Sequence, residues 1–221
     1  MIDSPDSPDS PTADDLALAL RLAVDTLRGA PADADWSRPA GTLGWSCWET
    51  VEHLADDLLA YAAQLGPALL GPARPPRDRY VPFVATRRAP GAPNNFVRAD
   101  PDSGVEGLLE VLEASGGLMV AVARVTPPET RAHHPWGLAD PTGFVAMSLV
   151  ETLVHLHDLA TGLDLPWTPP ADLCERTLTR LFPDVSVTDA PWPTLLWATG
   201  RAPLPGHPRR TDWRWYAAPR E

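Results

Sequence analysis

The stretch from Gly143 to Gly162, GFVAMSLVETLVHLHDLATG, is apolar on nearly every side when wound as a helix. A helix without a polar face has to be enclosed by other elements. It therefore constrains the chain to a fold assembled around one buried central helix. Between Phe144 and Leu156 its only ionisable side chains are Glu151 and His155. They are four residues apart and project from the same face. Burying an unpartnered carboxylate and imidazole is costly. They either hydrogen-bond to each other or share a metal ion.

The rest of the chain reads as helices separated by proline-rich connections. Thr12 and Asp15 make a capping box for a helix from Ala13 to Arg28, stopped by Gly29 and Pro31. Ser46-Cys47-Trp48-Glu49 is a second capping box, and its helix continues through to Leu70. At 100° per residue, His53 falls at the margin of that helix's apolar stripe. Residues 66–101 hold too many prolines for a helix, and a short extended piece is expected at YVPFVA. The arginines of this connection read as solvated surface in preference to recognition of an acidic ligand. A third helix is expected from the Ser103–Glu106 box to Arg124, interrupted at Gly116-Gly117. Gly162 is the expected C-cap of the central helix. A fifth helix runs from Pro170 to about Phe182, a short one from Pro193 to Thr199, and an extended segment from Trp213 to Tyr216.

These elements divide the chain into an acidic, disordered tail at 1–12, a helical bundle at 13–165 and a C-terminal helix with a Trp/Pro-rich extension at 166–221. The expected class is all-α.

Charge and composition narrow the function. The formal net charge is −11, which disfavours nucleic acid as a partner. Every one of the 18 basic residues is an arginine, so Schiff-base and P-loop lysine chemistries are excluded. No apolar run reaches the roughly 18 residues of a membrane span. The N-terminus is acidic and lacks the apolar core of a secretory signal, so the expected location is cytoplasmic. Cys47 and Cys174 are far apart and form no CxxC pattern, which argues against a disulfide or cysteine–zinc framework. Cys47 lies in a helical first turn, where a thiol can be activated, but a buried filler is the preferred reading.

A histidine from one helix and a Glu-x3-His pair from another can hold a divalent ion in a bundle core and leave a coordination position open. Asp158 has turned only about 20° from Glu151 on the helix and is a candidate partner to the ligands. Asp57, one turn after His53, is another. His157 points about 160° from His155 and is left out.

The segment Gly44-Trp45-Ser46-Cys47-Trp48-Glu49-Thr50-Val51-Glu52-His53 resembles the entry to the second helix of the DinB-like superfamily. More specifically, it is similar to the metal-binding N-terminal domain of mycothiol-dependent maleylpyruvate isomerase. Glu151-Thr-Leu-Val-His155-Leu-His-Asp158 resembles that family's second ligand segment, with His157 where the family has an aromatic residue. The resemblance covers residues 13–165. It implies a DinB-like four-helix bundle, His53, Glu151 and His155 as zinc ligands, and mycothiol as a cosubstrate. It further implies thiol transfer or isomerisation on a small electrophilic substrate. Trp45, His134 and Trp136, with His133, are candidate pocket residues. The isomerase's bundle is followed by an α/β domain, which the residues after Pro170 are too few to copy in full. The alternative is a non-catalytic module that binds a small ligand or partner and keeps a structural or vestigial metal site.

Overall fold

The structure, a computed structural model, describes residues 10–71, 78–187 and 190–219. Its helices are α1 (Ala13–Arg28), α2 (Cys47–Leu65), α3 (Gly104–Val125), α4 (Pro141–Gly162), α5 (Ala171–Leu181) and α6 (Pro191–Ala198). Among the described residues there is no strand, only isolated bridges such as Thr86 with Asn95. The all-α expectation holds.

α4 is the axis. Every residue from Phe144 to Leu156 is buried. α1, α2 and α3 complete a four-helix bundle with it, and α5 packs on its remaining flank and carries α6. This is the arrangement that an all-round apolar helix demands.

Local signals set most boundaries. Thr12 Oγ1 accepts from Asp15 N at 3.1 Å while Asp15 accepts from Thr12 N at 2.8 Å. Ser46 and Glu49 do the same for α2, at 3.1 and 3.0 Å. α2 is shorter than expected. It ends at Leu65, and residues Gly66–Leu70 form a 3₁₀ turn around Pro67. Proline removes an intrahelical donor and crowds the preceding turn.

The third capping box does not form. Ser103 Oγ donates to Asp100 O at 2.5 Å, and Glu106 reaches across to Arg28 at 2.5 Å. Gly116-Gly117 does not interrupt α3 either. A Cβ on Gly116 would stand 2.6 Å from Leu20 Cδ1, so this glycine lets α1 close onto α3.

α4 starts two residues before the expected position. Asp140 Oδ1 accepts from Gly143 N at 2.7 Å, and Pro141 fits the first helical position. Gly162 is the last helical residue, and Leu163 is the cap. The glycine is needed for space: a Cβ there would meet Pro39 O at 2.6 Å and Cys47 Sγ at 2.7 Å.

The C-terminal extension is bound to the bundle. Buried Arg180 of α5 donates to Asp140 at 2.8 Å and to Ala217 O at 2.8 Å. Tyr216 N donates to Leu181 O at 2.8 Å, so the segment at 213–216 runs as irregular backbone across the end of α5. Most of the expected tail, residues 1–9, lies outside the described residues. Ser10 and Pro11 are buried, which corrects the reading of 10–11 as free tail. No helix among the described residues is long and apolar enough to cross a membrane.

The long connection after α2 is pinned back onto α2. Asp56 accepts from Phe96 N and Val97 N at 2.7 and 2.6 Å. Buried Glu52 accepts from Trp48 Nε1, Ala99 N and Arg88 at 3.0, 3.2 and 2.6 Å. Arg88 therefore compensates a buried carboxylate. Residues 72–77 of this connection lie outside the described residues.

Candidate metal centre and cleft

α2 and α4 face each other in the bundle and bring His53, Glu151 and His155 together. The imidazoles of His53 and His155 meet edge to face, centroids 5.4 Å apart. His155 Nε2 is 3.0 Å from Glu151 Oε2. His53 Nε2 is 3.3 Å from Asp57 Oδ2, one turn further along α2. The donor atoms thus face one another in pairs. Among the described residues no three His, Cys, Asp or Glu side chains form a group that could hold a metal ion as they stand.

The chemistry of the donor set nonetheless fits a divalent cation. Burial, and after it the charge of Glu151, pushes the Asp57 carboxyl well above its ordinary range. A buried and a half-buried carboxylate that repel each other are relieved by a positive ion. Burial, and after it the charge of His155, pulls the His53 imidazole down to about 4, so at neutral pH it is the uncharged ring that a metal requires. Burial also pulls on His155, but its close contacts with the Asp158 and Glu151 carboxylates outweigh it and raise the imidazole to about 9. A cation binding at Nε2 has to displace that proton, so its affinity falls with falling pH.

Asp158 stands behind His155. Its Oδ2 is 3.3 Å from His155 Nδ1 and 3.1 Å from Arg201 of the C-terminal extension. His155 Nδ1 is buried and makes no hydrogen bond of good geometry. It is the one donor atom of the cluster that looks away from the other side chains toward a fixed carboxylate. Carboxylates in this position orient ligand imidazoles. His157 turns away as its helical angle dictates and packs edge-on against Trp192 of α6, centroids 5.7 Å apart.

Trp45 closes one side. Its ring meets His53 at 4.7 Å, and its Nε1 donates to Gly91 O at 2.9 Å. On the other side a cleft of about 550 Å³ opens, with His53, Asp57 and Glu151 in its floor and His134 and Trp136 in its wall. His133 lies against Tyr80 at 5.4 Å and does not line this cleft. A smaller cavity of about 180 Å³ lies behind the cluster, against Trp45, His155, Arg201 and Trp213. His53, Glu151 and Trp215 belong to the walls of both. Cys47 and Cys174 are buried and free, and burial raises the Cys47 thiol to about 11, which rules against an activated nucleophile there.

Sequence reasoning did not find Arg201, Trp215, Tyr61 or Tyr80. The first two come from the Trp/Pro-rich extension, whose irregular backbone has no period that aims a side chain. Tyr61 sits on the apolar stripe of α2 and reads as core, although it also lines the cleft.

A DinB-like helical bundle with a histidine–carboxylate cluster in the floor of an aromatic cleft is the class that this fold and site define. Residues 17–160 match the mycothiol maleylpyruvate isomerase N-terminal domain, and the chain belongs to that family. No curated protein matches the chain significantly. Two solved structures share the fold. A crystal structure of the mycothiol-dependent maleylpyruvate isomerase is 15% identical, with a TM-score of 0.57 over 86% of this chain and 88% of that one. A histidine-to-alanine mutant of such an isomerase is 16% identical, with a TM-score of 0.53 over 95% of this chain and 80% of that one. The likeness therefore extends beyond the bundle and takes in part of the C-terminal extension.

Proposed function

We propose that this protein binds one divalent ion, zinc by the character of its donors, through His53, Glu151 and His155. With it the protein transfers a low-molecular-weight thiol of the mycothiol type to a small electrophile, or isomerises that electrophile. The observation that carries this reading is the meeting of two imidazoles and two carboxylates, His53, His155, Glu151 and Asp57, three of them in the floor of a 550 Å³ cleft and His155 directly behind. Membership of the mycothiol maleylpyruvate isomerase N-terminal domain family supports the thiol and the reaction class. Two free, buried cysteines are in keeping with a reducing cytoplasmic location.

A bound divalent ion lowers the pKa of a ligated thiol or water and so supplies a nucleophile at neutral pH. The protein's own residues do the rest. Asp158, held by Arg201, fixes the His155 ring. Trp45 covers His53 and limits water at the back of the site. The cleft aligns the electrophile against the floor, which converts a bimolecular encounter into an oriented one.

The competing reading is a non-catalytic module, favoured by the 3.0 Å contact that lets Glu151 and His155 satisfy each other. Metal content of the purified protein separates the two. About one zinc, nickel or iron per chain, lost in both His53→Ala and His155→Ala, supports the centre. Absence of all three metals from the wild type rules it out. With metal present, consumption of a low-molecular-weight thiol by a panel of electrophiles identifies the enzyme.

A further inference from the structure

We propose that Asn95, in the connection between α2 and α3, orients the His53 imidazole and so sets how tightly the metal centre holds its ion. The inference rests on the centre proposed above and adds to it a positioning residue that no helical period points to.

Residues 86–99 are clasped onto the turn of α2 that carries His53. Beside His53, Glu52 accepts from Ala99 N at 3.2 Å and from Arg88 at 2.6 Å. One turn after Glu52, Asp56 accepts from Phe96 N at 2.7 Å. Trp45, whose ring meets His53 at 4.7 Å, donates from Nε1 to Gly91 O at 2.9 Å. Asn95 is held by its own backbone as well. Thr86 N donates to Asn95 O at 3.1 Å, and Asn95 N donates to Thr86 O at 3.0 Å. These bonds fix the backbone of Asn95 against α2, and its side chain starts from a set position.

That side chain is directed at His53. Asn95 is only 1% exposed, and its Oδ1 is buried without a hydrogen bond of good geometry. A buried acceptor is costly to leave idle. Burial and the charge of His155 lower the His53 imidazole, whereas Glu151 and the side-chain contact with Asn95 act the other way. A neutral amide acts in that sense only by accepting from a ring N–H, so it is Oδ1 that faces the imidazole. An ion held by one nitrogen of a histidine leaves the other as N–H, and that group needs an acceptor to hold the ring at its angle. His155 has such a partner in Asp158, 3.3 Å from its Nδ1. Asn95 fills the same place for His53, with a neutral oxygen supplied from the connection.

The test measures zinc affinity of the whole protein by competition with a chromophoric chelator. Asn95→Leu removes the acceptor at similar volume and is expected to weaken zinc binding about 10–100-fold. Asn95→Asp keeps an acceptor oxygen and is expected to bind zinc at least as tightly as the wild type. In a His53→Ala background, Asn95→Leu is expected to change the residual affinity by less than about threefold, since the ring it positions is gone. Nitrogen-resolved NMR of the imidazoles gives a readout independent of affinity. The zinc-loaded wild type is expected to show a His53 ring proton protected from exchange with water, and Asn95→Leu to lose it. An Asn95→Leu protein that matches the wild type in affinity, an equal loss without His53, or a protected proton that survives in Asn95→Leu overturns the proposal and leaves the metal centre standing. A wild type that binds no zinc overturns both. If Asn95→Leu does not fold, the wild type decides alone, and a His53 ring proton that exchanges freely overturns the proposal.

Discussion

Arg201, on the C-terminal extension, donates to Asp158 of α4 at 3.1 Å, and the same Asp158 oxygen stands 3.3 Å from His155 Nδ1. A residue outside the bundle thus holds the carboxylate behind the imidazole at its centre. Asp158 is almost fully buried, and Arg201 and the His155 imidazole together balance its charge. The extension is accordingly part of the site's structure and not an appendage to it.

Removing that cation leaves Asp158 buried with only the imidazole as partner. Arg201→Ala is expected to destabilise the protein by about 2–4 kcal/mol. Urea unfolding measures the loss. The double variant Arg201→Met with Asp158→Asn, which removes both charges, should recover most of it. A single variant as stable as the wild type would show that the pair does not hold the extension in place.

Asp57 lies in mutual repulsion with Glu151, and burial already disfavours its charge. Asp57→Asn is expected to stabilise the metal-free protein by about 1 kcal/mol, since it removes a poorly compensated, half-buried carboxyl group. In the metal-loaded protein the sign should invert, because the cation loses a compensating charge. Thermal melts with and without chelator give both values. Stabilisation of equal size in the two states would separate Asp57 from the metal.

Gly162 of α4 and Gly117 of α3 look alike in sequence and should respond oppositely to alanine. A Cβ on Gly162 meets backbone at 2.6 Å, whereas nothing lies within 4 Å of one on Gly117. Gly162→Ala is expected to cost about 1–3 kcal/mol through overpacking. Gly117→Ala should gain up to about 1 kcal/mol from helix propensity. Equilibrium unfolding of the pair checks both signs.

His134 is the pH-sensitive group of the cleft wall. Burial lowers its imidazole from the ordinary 6.5 to about 4. Below pH 6.5 the unfolded chain takes up a proton that the native state refuses. Stability should therefore be flat above pH 6.5, fall as the pH drops from 6.5 to about 4, and level off below that in so far as His134 sets it. The total loss expected is about 2–3 kcal/mol. His134→Gln should flatten that part of the stability–pH curve. If the slope survives in the variant, other groups carry it.

Much of this was legible in the residues. The capping boxes at Thr12 and Ser46 formed as written, because a cap is a contact between residues three apart. The same logic failed at Ser103, where Arg28 on another helix competed for Glu106. Gly116-Gly117 looked like a break in α3. Packing against Leu20 gave the first of the two glycines a purpose that propensity could not show. In the candidate centre, the facing of Glu151, His155 and Asp158 followed from the helical period, and so did the turning away of His157.

The sequence by itself therefore determined the helices and the buried axis at α4, and which side of that axis carries the polar groups. These depend on contacts within a few residues, which a regular period encodes. Only the tertiary structure decided that His53 meets His155 across two helices. It also decided that Asp57 opposes Glu151, that Arg201 returns from the extension to hold Asp158, and that aromatic rings from four segments of the chain enclose one cleft. Those pairings join residues far apart along the chain. They are set by which faces the helices bury against one another and by the course of irregular backbone, and neither has a periodicity to read.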